Sequence, residues 1–352
     1  ARQGHPFGPR GAQEFGAFAG TDPVMQAPFA FAESGRRAEM SAFGDAVAGT
    51  GQGDDGAAPR VIGGADADPG AWPWQVALLI AGRPVAPESQ FCGGTMVLDR
   101  WVLTAAHCVH MKNREGRYAD LPAQAITVLA GTNVIAEGAG DNVAVEGIFV
   151  HPDYDGDAFD HDIALVKLAR APQATYRTIR VPDPELGDLL DQPGVTTIVT
   201  GWGLMEGGRT PDRMQEAQIQ MFARAQCNQA LLEARAREAA PAIAFAGQVF
   251  GLDETETEEV WQALVDRVKP PLTENMLCSG TYEGGRTACS GDSGGPLVVP
   301  VDERGTYIQA GVVSWGLSDE GGKGCAEQAL FSAYTRTANY VDWLNQTISA
   351  NQ

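Results

Sequence analysis

Basic residues are scarce in this sequence. Its 352 residues hold 25 Lys and Arg against 45 Asp and Glu, a formal net charge of −20. Nucleic acid and anionic membrane surfaces both demand a cationic face, so neither is expected as a partner. No apolar run approaches the roughly 20 residues that a transmembrane helix needs, and no membrane association is expected. Cysteine is also sparse. Six are present, none in Cys-x-x-Cys spacing, so the pattern is not that of a zinc site or a redox dithiol. His110 and His151 have no metal-ligand spacing with other residues. No metal and no cofactor are expected.

Regular patterning is missing from residues 1–60. They are rich in Gly, Ala, Phe and Pro and show neither helical nor strand periodicity. Such a segment buries too little apolar surface to offset its ordering entropy, and is expected to be largely disordered. Its six phenylalanines (Phe7, Phe15, Phe18, Phe29, Phe31, Phe43) offer a means of docking part of it on a protein surface.

From Val61 short β-rich runs alternate with Gly, Pro, Asn and Asp. Examples are Gln75 to Ile80, Thr95 to Leu98, Ile126 to Leu129, Val143 to Val150, Ile163 to Leu168, Thr196 to Thr200, Leu297 to Val301 and Gln309 to Trp315. Many short strands with regular turn signals predict an all-β sandwich or barrel.

Three stretches carry chemistry. Gly291-Asp292-Ser293-Gly294-Gly295-Pro296-Leu297 places a serine between glycines and beside a carboxylate. A serine hydroxyl is a weak nucleophile until a base takes its proton. Leu103-Thr104-Ala105-Ala106-His107-Cys108 supplies a base, and His161-Asp162-Ile163-Ala164-Leu165 an orienting acid. Each has a plainer reading alone: a turn, a core histidine, a strand-edge charge. Together, in the order His, Asp, Ser, they match the chymotrypsin-like order among serine hydrolases.

Further marks fall in line. Val61-Ile62-Gly63-Gly64 follows Arg60. Trp72-Pro73-Trp74-Gln75-Val76, Gly201-Trp202-Gly203, Ser314-Trp315-Gly316 and Tyr340-Val341-Asp342-Trp343-Leu344 come in sequence. With these motifs residues 61–349 resemble the trypsin/chymotrypsin-family serine proteases, here in precursor form. The resemblance implies two six-stranded antiparallel β-barrels with a C-terminal helix and a helical insert. Residues 1–60 would be a propeptide and 61–178 the first barrel. The second barrel would be 179–352, with the insert at about 229–272 and the C-terminal helix at about 337–349.

The resemblance also implies roles. Ser293 would be the nucleophile, His107 the base, Asp162 its orienting partner and Ser314 a support for Asp162. The N–H groups of Gly291 and Ser293 would form the oxyanion hole. Cleavage after Arg60 would free the Val61 ammonium to pair with Asp292. Relatives often hold that carboxylate before activation on a histidine two residues ahead of the first cysteine. Gln90 stands there, so a different contact is expected. Six cysteines allow fifteen connectivities; the resemblance selects Cys92–Cys108, Cys227–Cys278 and Cys289–Cys325. Disulfides imply an oxidising compartment, secreted or periplasmic.

The specificity pocket, by resemblance, has Thr287 at its floor and Gly316 and Ser332 on its walls. All three are neutral. A buried cation without a partner is costly, so a neutral, apolar or aromatic residue is expected before the cut. Asp319 and Glu320 leave trypsin-like specificity as an alternative. A non-catalytic binding module on the same fold is another, although such proteins usually lose the Ser or the His. The implied partners are a protein or peptide substrate and an activating protease, with the chain a monomer.

Two segments depart from the pattern. Asp153, Asp155, Asp157 and Asp160 crowd the loop before Asp162, partly like a calcium loop. Yet Ala158 replaces the expected glycine and Ala164 stands where the twelfth-place glutamate belongs. A solvated acidic loop is expected instead. The stretch between Cys227 and Cys278 is far longer than in relatives. It predicts a helix from Ala225 to Ala240 stopped by Pro241. A capping box at Thr255-x-x-Glu258 should then open a second helix. Val260, Trp261, Leu264, Val265 and Val268 recur there at helical spacing, and Pro270 and Pro271 end it.

Overall fold

The computed structural model describes residues 64–113, 115–205, 209–281, 288, 291–302, 305–316 and 331–352. Strand β1 (Ala65–Asp66) precedes β2 (Gln75–Ile80), β3 (Gln90–Leu98) and β4 (Trp101–Thr104). A one-turn helix α1 (Ala106–Val109) leads to a ribbon of β5 (His110–Lys112) and β6 (Tyr118–Asp120). Then come β7 (Ile126–Ala130), β8 (Asp141–Val150) and β9 (Ala164–Leu168). Strands β2, β3, β4, β9, β8 and β7 close, in that order, into an antiparallel barrel.

Helix α2 (Pro184–Leu190) opens the second half, with β10 (Thr196–Gly201) and β11 (Gln215–Met221). Helices α3 (Arg224–Phe250) and α4 (Glu254–Val265) follow. Then come β12 (Met276–Gly280), β13 (Pro296–Pro300), β14 (Tyr307–Gly316), β15 (Phe331–Arg336) and helix α5 (Val341–Ala350). The order β11, β10, β13, β14, β15, β12 closes through a β11–β12 pairing into a second six-stranded barrel. The fold is the expected pair of six-stranded barrels with a C-terminal helix.

Strand β2 shows why the halves stay together. All six of its residues are buried. Val76, Leu78 and Ile80 point into the first barrel, while Ala77 and Leu79 pack in a cluster with Trp202, Met214 and Val298 of the second. A strand covered on both faces reads as an unbroken apolar run rather than an alternation. Each fully buried side chain of this size contributes about 1.5–3 kcal/mol. Gln75 adds a polar tie: it donates to the Thr200 carbonyl at 3.1 Å and accepts from the Thr200 hydroxyl at 2.6 Å.

The first described strand and the C-terminal turn cross over between the barrels. β1 pairs with β11 of the second barrel. Tyr340 and Leu344, near the other end, belong to the first barrel's core. The sequence pattern missed β11, whose Gln215, Ala217, Ile219 and Met221 alternate inward against Glu216, Gln218 and Gln220. Its period is 2, but half of it is Gln and Glu.

The insert differs from expectation in three ways. First, α3 does not stop at Pro241 but runs through it to Phe250, ending on Gly251 with a left-handed φ of 70°. An interior proline removes one hydrogen bond and crowds the preceding turn. Ala239, Ala240, Ala242, Ala244 and Ala246 around it are the strongest helix formers and carry the helix past. Second, the capping box lies two residues earlier, at Asp253 and Glu256. Asp253 accepts from Glu256 N–H at 2.9 Å, and Glu256 accepts from Asp253 N–H at 2.9 Å. Third, α4 ends at Val265, short of the Pro270 expected to end it, and it buries no residue.

The base of the insert is tied in. Ala230, Leu231 and Leu272 are buried. Asn228 donates to the Leu272 carbonyl at 3.0 Å and accepts from the Leu272 N–H at 2.8 Å. The Cys227–Cys278 disulfide spans 51 residues, and Cys92–Cys108 spans 16. The expected Cys289–Cys325 pair lies outside the described residues. Among the described residues no helix is long and apolar enough to cross a membrane.

Candidate active site

Strand pairing alone brings His107 to Asp162. Thr104, at the end of β4, faces Ala164 at the start of β9. Three residues beyond Thr104 and two before Ala164 must therefore meet. His107 N–H donates to Asp162 Oδ1 at 2.8 Å, and His107 Nδ1 lies 2.7 Å from Asp162 Oδ2. Because the carboxylate only accepts, Nδ1 carries the proton and Nε2 is left as the basic nitrogen. His107 is 5% exposed and Asp162 0%.

Ser314 donates to Asp162 Oδ2 at 2.5 Å. It comes from the second barrel, and its aim has a local cause. The β14–β15 register shifts between Val313 and Trp315, so Ser314 is the extra residue of a bulge. A bulge re-aims a side chain that regular pleating would send elsewhere. Thr335, which the sequence reading passed over, donates to the Asp162 carbonyl at 2.7 Å. No local pattern could have marked it, because the contact spans 173 residues.

Burial by itself would raise the Asp162 carboxyl. The His107 imidazole, its hydrogen bond, the Ser314 hydroxyl and the His107 N–H outweigh it, and hold the group below the ordinary carboxylate range.

Ser293 sits on the turn before β13 and is 8% exposed. Its carbonyl accepts from Gly93 N–H at 2.7 Å, tying it to β3 of the first barrel. Gly294, with φ +79°, lies where a Cβ would come within 2.2 Å of Thr104 Oγ1 and 3.1 Å of Ala105 N. Only glycine allows that approach. The serine turn thus rests on the residues that lead into His107. Gly291 has φ +97°, and its carbonyl accepts from Gln90 Nε2 at 2.7 Å. Gln90 therefore holds the Gly291 turn directly.

Asp292 is 1% exposed and accepts from Gly203 N–H at 2.7 Å. A Cβ at Gly201 or Gly203 would come within 2.1 or 2.4 Å of its carboxylate oxygens. The Gly-Trp-Gly motif is therefore the slot for this carboxylate. Burial, and then the Asp292 charge, push the Tyr334 hydroxyl well above its usual range.

Gly316 and Ser332 are paired across β14 and β15, and a Cβ at Gly316 would meet Ser332 Oγ at 3.0 Å. Thr287, Asp319 and Glu320 lie outside the described residues, as do Arg60 and Val61. Phe159, missed in the sequence, stands edge-on to the His107 ring at 5.7 Å. It shares an apolar cluster with Trp315 and with Leu231 and Leu272 of the insert base.

In the acidic loop Asp155 accepts from the N–H groups of Asp157 and Ala158. Asp157 lies 3.3 Å from Lys112 Nζ, and Asp160 accepts from Thr273 and Asn275. His110 pairs with Asp120 and stacks on Tyr118.

The family model described as Trypsin matches residues 61–344. The chain is 30% identical over 295 residues to ovochymase of Halocynthia roretzi, covering 81% of this chain and 15% of that protein. It is 32% identical over 302 residues to serine protease 56 of Homo sapiens, covering 83% of this chain and 39% of that protein. The chain thus spans well under half the length of these relatives.

Proposed function

The chain belongs to the trypsin family, and from that premise we propose that it is a serine endopeptidase. The observation that carries the reading is the buried relay in which Ser314 and His107 Nδ1 both hydrogen-bond Asp162. Ser293 attacks the scissile carbonyl. His107 Nε2 takes its proton and returns it to the leaving amine, and Asp162 stabilises the imidazolium. The N–H groups of Gly291 and Ser293 receive the oxyanion. Water then cleaves the acyl-enzyme by the same steps in reverse order.

Residues 1–60 act as a propeptide in this reading, and 61–178 and 179–352 as the two halves that flank the cleft. Cleavage after Arg60 frees Val61, whose ammonium pairs with Asp292. The burial of the Asp292 carboxylate in its slot beside Gly203 supports this assignment. Activation after an arginine, with a neutral pocket at Thr287, Gly316 and Ser332, calls for a separate activating protease. Bonds after apolar or aromatic residues are the preferred substrates. The disulfides suit a secreted or periplasmic monomer.

The test is reaction of the chain, before and after cleavage at Arg60, with a phosphonylating reagent. Labelling of Ser293 only after cleavage, together with peptide hydrolysis, is the expected result. Absence of labelling in the correctly cut chain would leave a binding module on the same fold.

A further inference from the structure

Behind Asp162, on the side away from the cleft, two histidines lie face to face. The rings of His151 and His161 are 5.0 Å apart and 5° from parallel. Tyr340 stands edge-on to both, and Trp343 lies 5.1 Å from His151. His161 immediately precedes Asp162 and has a left-handed φ of 53°. Its carbonyl accepts from Ile163 N–H at 2.8 Å, while His151 N–H donates to the Ile163 carbonyl at 3.1 Å. Both histidine backbones therefore bond Ile163, the residue that follows Asp162.

The hydrogen bonds around the pair suit neutral rings. His151 Nδ1 accepts from Asp153 N–H at 3.2 Å, so that nitrogen carries no proton. His161 Nε2 lies 3.4 Å from Asn275 Nδ2. The Asn275 amide is held in that orientation at both ends. Its nitrogen donates to Asp160 Oδ1 at 3.0 Å, and its oxygen accepts from Asn339 Nδ2 at 3.0 Å. Asn339 is oriented in turn by the Glu274 carbonyl and by Arg336. Nε2 of His161 thus faces a donor, and its remaining proton sits on Nδ1, 3.2 Å from the Tyr340 oxygen. Adding a proton to either ring sets N–H against N–H and puts a charge on a ring stacked against the other.

We propose that the stacked His151–His161 pair positions Asp162 and releases it on acidification, so that acid inactivates the enzyme through this pair as well as through His107. Carboxylates of Asp153 and Asp160 face the pair from the loop; Tyr340 faces it from the C-terminal turn, and Arg336 approaches through Asn339. Burial, and then His161, lower the His151 pKa despite the opposing pull of Asp153. The His151 ring is therefore held toward its neutral form.

The inference rests on the protease reading above, and the experiment separates the two. His161→Asn removes one of the two stacked rings but keeps a residue that tolerates positive φ. The kcat/KM of the cut enzyme is measured from pH 8 to pH 5, each protein normalised to its own value at pH 8. The wild type is expected to lose about tenfold more than the variant, because its acid limb contains an additional protonation. Superimposable normalised profiles would overturn the proposal. Should His161→Asn fail to fold, His151→Phe keeps a stacking ring without a proton and is expected to flatten the same limb. If no protein turns over peptide, the protease reading fails instead. The pair is then judged by NMR titration of the His151 ring. Its midpoint should rise in His161→Asn, and an unmoved midpoint counts against the coupling.

Discussion

Asp162 and Leu264 mark two regions built in opposite ways. Asp162 is charged and has no exposed surface, yet it accepts from His107 twice and from Ser314, and its carbonyl accepts from Thr335. Leu264 is apolar and 47% exposed on a helix that buries nothing. Phe245, Val249, Phe250, Val260, Val265 and Val268 of the same insert are also exposed. Side-chain polarity did not decide which was buried. Partners did: a buried charge persists where every lone pair is answered, and an apolar stripe is buried only where another element comes to cover it.

That contrast can be broken from either side. The largest effect is expected at the nucleophile. Ser293→Ala should abolish covalent labelling and lower kcat by about 10⁶, the scale of nucleophile loss in another serine protease. An unchanged melting temperature would show that chemistry alone was removed. Near-normal turnover would sink the mechanism.

Asp162→Asn should lower kcat by about 10⁴, the magnitude recorded for this change in a related triad, because the amide favours the wrong histidine tautomer. It also tests the electrostatics. The Asp162 pKa is lowered in the folded state. Its stabilising contribution should therefore be full above the ordinary carboxylate range and decline as pH falls through the folded-state value. Thermal melts of wild type and variant should differ by a constant amount near neutral pH and converge in acid. A difference that grows in acid would contradict the assignment.

Gly203→Ala probes the slot for Asp292. The added Cβ would stand 2.4 Å from a carboxylate oxygen, and the overpacking should cost about 1–3 kcal/mol and most of the activity. A fully active, equally stable variant would mean that the slot is not needed.

The insert should be far more tolerant. Asp253→Ala removes the cap of α4 and should cost about 1 kcal/mol of local helix stability, read by amide exchange, with kcat/KM on short peptides unchanged. Smallest of all, Leu264→Glu should shift global stability by no more than about 0.5 kcal/mol. A large loss from Leu264→Glu would erase the contrast, since it would reveal a burial that the described residues do not show.

Much of the active site was legible because its motifs are contiguous. His107, Asp162 and Ser293 each sit in a short apolar or glycine-rich signature, and their chain order carried the rest. Gly201-Trp202-Gly203 was visible as a motif, but its reason was not. Glycine is required there because a carboxylate from residue 292 fills the space of both missing side chains. Thr335, Phe159 and the His151–His161 stack left no local signal. Helical spacing correctly marked α4, but periodicity states which residues share a face, not whether anything packs on it.

The sequence alone determined the strand-rich class, the residue types of the relay, the excess of acid and the break in character at Val61. Those features depend on residues within a few positions of one another. Tertiary structure decided the rest. It turned Ser314 toward Asp162 through a bulge and crossed β1 and the C-terminal turn between the barrels. It also stacked His151 on His161 behind the site. Each depends on contacts between segments far apart in the chain, and a hydrogen bond spanning 173 residues has no signature at either of its ends.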